Sequence, residues 1–369
     1  MPEYVIYDVT VKTISWVHIG SGDVLLRDYD YAVHEGRTYR LDMDALLDEK
    51  VTDAAMADLV ARTPPGQLLQ AEDFGGESPL FRYILQGEPR SSASGAEVRE
   101  QIKDAWDRPY LPGSSLKGAL RTAILWNAVK QAGRPVSPGD LKRVGRFAAQ
   151  PVEEQVLRQR GQTRANYDLL RAIQVSDSAP LGIESLVLTN AQVIGGRTQS
   201  GAPVELEALR PGAELMVRIK IDLALFSSWA RQHGLELVEL RPHIENLPAT
   251  VQPFSRNLAQ RGLAWCEHNA DRSRLVRFYR QIERDKAPDA CFVQIGWGGG
   301  WDSKTLGALL QRDPEGFEEM ARRYSLRRGR GQVRPGTPFP STRRMVVTND
   351  NQQVRGPLGW LRLKFERRA

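Results

Sequence analysis

Three short stretches of this 369-residue sequence have the residue types to hold an anion. The first is Gly296-Trp297-Gly298-Gly299-Gly300-Trp301-Asp302-Ser303-Lys304-Thr305-Leu306-Gly307, which follows an apolar run from Cys291 to Ile295. Glycines after a strand let the backbone come close to a ligand, and a nest of N–H groups opening a helix attracts phosphate; Lys304 adds a full charge. Gly298 to Thr305 reads G-x-x-x-x-S-K-T, so Ser303 replaces the second glycine of a nucleotide P-loop and ATP chemistry is not expected. The second stretch is Ser114-Ser115-Leu116-Lys117 with Arg121. Hydroxyls and free N–H groups at a helix start could grip phosphates together with Lys117 and Arg121, which are four apart on one helix face. The third lies between Ala321 and Arg344, where eight arginines, with Arg327, Arg328 and Arg330 at the centre, occur without an acid among glycines and prolines. Such a run reads as a basic loop suited to an anionic partner.

Other chemistry is poorly supported. The five histidines lie in no H-E-x-x-H or nucleophile-elbow context. His18, beside Gly20-Ser21-Gly22, is the one to watch. It could stack on or hydrogen-bond a base, or pack, and a rival reading makes it the base that deprotonates a 2′-hydroxyl in a metal-independent endoribonuclease. Ser114 to Lys117 matches the S-x-x-K of acyl-serine enzymes without their companion motifs. Cys266 and His268 form a C-x-H pair with no candidates for the other two ligands of a metal site. No catalytic residue, metal or cofactor is expected.

The elements that must position these residues follow from periodicity. Tyr4 to Ile19 alternates β-branched and aromatic residues with polar ones, a half-buried strand. Short strands are expected at Val24–Leu26 and Arg37–Leu41, then a helix from Met43 to Ala61, stopped by Pro64-Pro65. Residues 64–109 are weakly periodic and rich in Gly, Ser and Pro, which predicts an insertion or long loop outside the core. Ser114 or Ser115 is a natural N-cap for a helix to about Gln131, with Gly133 past its end and Leu116, Leu120, Ala123, Ile124 and Ala128 as its apolar stripe. Further strands are expected at 172–175, 186–193, 215–222, 291–295, 344–348 and 358–365, and helices at 253–264 and 272–284. The order of elements recurs roughly twice, which predicts an α+β chain of two ferredoxin-like units with helical insertions, spanning 1–205 and 206–369.

Composition narrows the class. No run approaches the roughly 18 apolar residues of a membrane span, and Met1-Pro2-Glu3 opens no leader. Two cysteines are too few for a disulfide framework and suit a cytoplasmic protein. The net charge is +6, and 41 of the 51 basic residues are arginine. Guanidinium forks phosphate and stacks on bases, so the balance leans towards nucleic acid.

His18-Ile19-Gly20-Ser21-Gly22, Tyr110-Leu111-Pro112-Gly113-Ser114-Ser115-Leu116-Lys117-Gly118-Ala119-Leu120-Arg121-Thr122, Ile295-Gly296-Trp297-Gly298-Gly299-Gly300-Trp301 and Pro357-Leu358-Gly359-Trp360-Leu361 together resemble the RAMP superfamily of CRISPR proteins. The likeness is strongest to the fifth-subunit branch of the Csm complexes of type III-A effectors. It implies paired RRM-like RAMP domains in a cytoplasmic ribonucleoprotein. The partners implied are the CRISPR guide RNA, the backbone RAMP and small helical subunits of the Csm effector complex, and host nucleases. The role implied is non-catalytic: binding the 3′ part of the guide, capping the filament and supporting 3′-end maturation in antiviral defence. The RNA-contact residues implied are His18, Gly20, Ser21, Ser114, Ser115, Lys117, Arg121 and the 296–304 loop. RRM aromatic signatures are absent, so base-specific stacking on a sheet is not expected.

Overall fold

A computed structural model describes residues 3–75, 78–133, 135–195, 198–267, 273–326, 339–349 and 353–368, with the backbone alone at 198–202. The strands are β1 (Tyr4–Thr13), β2 (Gly20–Leu26), β3 (Tyr31–His34), β4 (Arg37–Leu41), β5 (Phe81–Gln86), β6 (Glu97–Gln101), β7 (Ile173–Val175), β8 (Leu186–Gly195), β9 (Thr198–Leu209), β10 (Glu214–Asp222), β11 (Ala290–Gln294), β12 (Thr342–Val347), β13 (Val354–Pro357) and β14 (Trp360–Arg367). The helices that matter below are α1 (Met43–Lys50), α2 (Ala54–Val60), α3 (Gly113–Gln131), α4 (Gln150–Leu157), the short α5 (Ser228–Gln232) and α6 (Pro242–Glu245), α7 (Leu247–Glu267), α8 (Ser273–Arg284) and α9 (Gly300–Lys304).

β1 shows why these segments fold as they do. Val9 and Val11 are fully buried, while Asp8, Thr10 and Lys12 point the other way. In register, Val9 faces Val217 and Phe365, and Val11 faces Leu215 and Leu363, so one side of the sheet is continuous apolar surface. That surface is covered by Leu116, Leu120, Ala123 and Ile124 of α3, all fully buried, and by Val251, Phe254 and Leu258 of α7. The stripe read from the sequence of α3 is the core stripe, and the helix ends at Gln131 with Gly133 in the left-handed region at φ +67°. The five-stranded sheet has the order β11-β14-β1-β10-β7. The path β1, α3, β7, β10, α7–α8, β11 is ferredoxin-like, with β14 inserted beside β1.

A nine-stranded sheet follows the order β2-β6-β9-β8-β5-β4-β3, with β12 on β8 and β13 on β12. The fold is α+β, as expected, but three expectations need correction. The first strand stops at Thr13, because residues 14–19 cross to the second sheet, where Val17 exchanges two backbone hydrogen bonds with Leu209 at 3.0 and 2.8 Å. The helix expected over 43–61 breaks at Asp53, whose carboxylate accepts from the Met56 N–H and caps α2. The supposed insertion 64–109 supplies β5 and β6, and Leu80, Tyr83, Leu85 and Val98 are buried. Residues 205 and 206 are consecutive within β9, and each sheet takes strands from both sides of that point.

Cys266 and Cys291 are buried and unbridged, and burial pushes the Cys291 thiol up. His268 lies outside the described residues. Among the described residues no helix is long and apolar enough to cross a membrane.

Candidate nucleic-acid interface

The glycine loop is seated on the crossing segment. His18 is 2% exposed; its Nδ1–H donates to the Glu207 carbonyl at 2.7 Å, its own carbonyl accepts from the Trp297 N–H at 2.8 Å, and its ring meets Trp297 edge-on. Gly296 has φ +66°, and a Cβ there would lie 2.2 Å from the His18 oxygen; a Cβ at Gly298 would lie 2.7 Å from Leu358. These two glycines are therefore required by close packing against the chain's own strands. Gly299 is also buried, against Ser303, whereas Gly300 at φ +75° borders open space. His18 is thus a support beneath the loop, and the roles of base-stacking residue and general base are corrected: its ring is enclosed by β9 and Trp297. Ser303 is buried, and Lys304 closes a five-residue helix, unlike the lysine that opens a P-loop helix.

Burial lowers the His18 pKa from 6.5 to about 4. Below pH 6.5 the unfolded chain binds a proton that the folded chain refuses, so stability is level above 6.5 and falls from there down to about 4. At pH 5 the loss from this group is about 2 kcal/mol. Urea unfolding at pH 7.5 and pH 5 should show wild type losing that much more than His18→Gln; an equal loss in both would mean that the imidazole is solvated.

The α3 motif is built differently from its sequence expectation. The helix opens at Gly113, with Pro112 as the cap residue and no side-chain cap hydrogen bond. Ser114 and Ser115 therefore sit inside the first turn. The Gly113 N–H donates to Asp177 Oδ1 at 2.7 Å, and a Cβ on Gly113 would lie 2.4 Å from the Val175 oxygen, so this end of α3 is pressed against the end of β7. Arg121 is a second correction. Its guanidinium donates to Asp168 at 3.1 and 3.0 Å and to Glu153 at 2.8 Å, which neutralises it within the protein. Exposed Ser114 and half-buried Lys117 remain available. Burial holds the Lys117 ammonium below the usual lysine range, with Asp168 pulling the other way. At the other motif, exposed Gly20 opens β2, and Ser21 donates to Glu100 Oε2 at 2.9 Å; with Asp23 next to it, this turn offers phosphate two carboxylates. Arg327, Arg328 and Arg330 lie outside the described residues. α9 packs on α3, so the two motifs are neighbours in the fold.

Among the described residues a concentration of positive charge surrounds Trp297, and sequence reading missed most of it. Trp297 and Trp16 are half-buried on one face of the nine-stranded sheet, over Ala191, Leu206, Ala208, Val346 and Leu358. Arg99 of β6 lies 5.3 Å and Arg344 of β12 4.8 Å from the Trp297 centroid, and Arg355 lies 4.9 Å from that of Trp16. The two guanidiniums on Trp297 are thus no further apart than about 10 Å, one Debye length at 0.1 M salt. Partial burial, and then the neighbouring Arg344 cation, hold Lys304 below the usual lysine range. Among the described residues no ion pair involves Arg99, Lys304 or Arg355. A cation–π contact at an exposed site is worth only about 0.5–1 kcal/mol, so the Arg99 and Arg355 guanidiniums can turn to a phosphate at little cost.

The open face of the five-stranded sheet is the contrasting case. There Lys12 pairs with Glu214 at 2.8 Å, Arg218 and Arg368 with Asp8, and Lys364 with Glu366 at 2.9 Å. Tyr4 is its exposed aromatic residue, under Lys220. This face is charge-compensated and offers no row of rings for bases.

The ferredoxin-like sheet and the glycine turn seated on its first crossing define a RAMP-type chain, and a RAMP superfamily model matches residues 10–301. The chain belongs to that superfamily. It is similar to the CRISPR system protein Csm5 of Mycobacterium tuberculosis (strain CDC 1551 / Oshkosh), 29% identical over 336 residues that make up 81% of this chain and 83% of that protein. Similarity to Csm5 of Streptococcus thermophilus is 28% over 231 residues, 57% of this chain and 62% of that protein, so the chain spans less than two thirds of that relative's length. Among solved structures, a chain of a Csm–crRNA–target RNA ternary complex of a type III-A system superposes with TM-score 0.65 at 24% identity, covering 98% of this chain and 100% of that one. Csm5 of T. onnurineus superposes with TM-score 0.66 at 22% identity, covering 95% and 99%. Both share the fold.

Proposed function

We propose that the chain is the Csm5-type subunit of a type III-A CRISPR effector complex. In this reading it is a cytoplasmic, non-catalytic protein that holds the 3′ part of the guide RNA, caps the backbone filament and supports guide maturation. Its partners are the guide, the backbone and small helical Csm subunits, and host nucleases. The relatives named Csm5 support the assembly. The cations around Trp297 and Trp16 carry the RNA part. Like charges held this close cost stability, and an anionic strand that lies across them removes the cost. A surface of arginine, lysine and half-buried indole reads backbone and ring faces, not base edges, so it serves a subunit that must accept guides of any sequence. The two RAMP units, 1–205 and 206–369, belong to the same proposal.

Against the endoribonuclease reading stands the burial of His18, whose Nδ1–H is taken by the Glu207 carbonyl. Purified protein incubated with labelled repeat RNA should leave it intact, and His18→Ala should change nothing but stability. Metal-independent cutting lost in His18→Ala would overturn the non-catalytic assignment.

A further inference from the structure

Trp106 is 75% exposed, the most exposed large apolar side chain among the described residues. It sits at the tip of the turn between Lys103 and Pro109, and that turn is fixed from several directions. The Asp104 carboxylate accepts from the Trp106 N–H at 3.0 Å, the Arg108 N–H at 3.0 Å and Arg108 Nε at 2.9 Å, while the Asp104 N–H donates to the Arg108 carbonyl at 2.9 Å. Asp107, at φ +60°, is clasped by Arg82 of β5 through two bonds of 2.9 and 2.7 Å. At its base, the Lys103 side chain is 4% exposed and its Nζ lies 2.6 Å from buried Glu207. Arg108 lies 5.1 Å over the indole.

An aromatic side chain of this size presents about 150–250 Å² of surface. Holding it rigidly in water is unfavourable, and the hydrogen bonds around it are arranged to display it. Charge decides what covers it. Arg82, Arg108 and Lys103 each already face a carboxylate, so the turn has no spare cation for a phosphate, in contrast to the Trp297 surface. Single-strand platforms combine rings with a positive groove, whereas protein interfaces concentrate their binding energy in rigid Trp and Arg anchors that enter an apolar pocket.

We propose that Trp106, with Arg108 stacked on it, is an anchor that inserts into an apolar pocket of a neighbouring protein subunit in the ribonucleoprotein. The choice of partner rests on the function proposed above. The test is reconstitution of the particle from separately purified subunits and guide RNA, with the full chain as wild type, Trp106→Ala and Trp106→Phe. In parallel, the isolated chain is titrated against a fluorescein-labelled 20-nucleotide oligouridylate. Trp106→Ala should raise the concentration needed for half-maximal incorporation by about tenfold or more, Trp106→Phe by much less, and oligouridylate affinity should hold to within about twofold. Because the side chain is exposed, the unfolding midpoint should not move. Incorporation of Trp106→Ala at the wild-type concentration overturns the anchor. A parallel loss of oligouridylate affinity also overturns it, and assigns the indole to base stacking. Failure of the RNA reading appears separately, as a wild-type chain that binds no oligouridylate.

Discussion

Replacing Arg99, Lys304 and Arg355 together with alanine should weaken binding of single-stranded RNA by about 100-fold, near 1 kcal/mol for each lost phosphate contact. It should also flatten the plot of log affinity against log salt by about 2, since each single-strand phosphate contact contributes roughly 0.7. The loss should be the same for oligouridylate and a mixed-sequence strand, because guanidinium and ammonium groups on phosphate carry no base information. Lys12→Ala and Arg218→Ala combined with Lys364→Ala, all three from the compensated face of the five-stranded sheet, make the matched control. Each has a carboxylate partner, at 2.8, 3.5 and 2.9 Å, so little attraction for RNA is lost with it. If this control weakens binding as much as the loss of Arg99, Lys304 and Arg355, general charge and not this surface holds the strand. Fluorescence anisotropy at four salt concentrations separates the two outcomes.

The contrast between those two faces shows what the sequence could and could not reveal. The cores of β1, β10 and α3 were legible because each buries a face set by its own period: alternate residues in the strands, Leu116, Leu120, Ala123 and Ile124 in the helix. The strands of 64–109 were missed because Phe81–Gln86 and Glu97–Gln101 are short and carry polar residues on the outward side, so they resemble loop. Arg121 was misassigned for a different reason. Its partners lie 32 and 47 residues away, and a cation that looks available on its own helix face is neutralised by chain that returns later. The glycines of 296–300 could be recognised as a tight turn, but not that the turn closes on the His18 carbonyl nearly 280 residues earlier. The Trp297 surface combines both difficulties. Arg99, Trp16, Arg344 and Arg355 come from separate segments and meet only because β6, β9, β8 and β12 lie side by side in one sheet.

Asp302 is where the stability of that surface and its function meet. It is 4% exposed on α9, directly after the glycine turn, and each oxygen holds a different arginine: Oδ1 takes Arg261 Nε of α7 at 2.8 Å, Oδ2 takes Arg343 Nη2 of β12 at 2.7 Å. The same Arg261 donates to the Phe339 carbonyl at 2.7 Å, and Trp265 donates to the Ser341 carbonyl at 3.0 Å, so the approach to β12 is tied to α7 by a single network. Arg343 precedes the Arg344 that stacks on Trp297. Asp302→Ala leaves two largely buried guanidiniums without their shared carboxylate, and unfolding in urea should show a loss of about 3 kcal/mol, the lower end for breaking a buried pair, since both arginines keep some water. Asp302→Asn keeps the volume and one of the two acceptors, its amide nitrogen facing the other arginine, and should lose less. RNA affinity of the folded Asp302→Ala protein should also fall, by about fivefold, because β12 no longer fixes Arg344 against the indole. Asp302 carries a negative charge, so its removal by simple electrostatics would strengthen RNA binding. The sign of the change therefore separates positioning from bulk charge, and tighter binding in the variant would show that the network only holds the fold together.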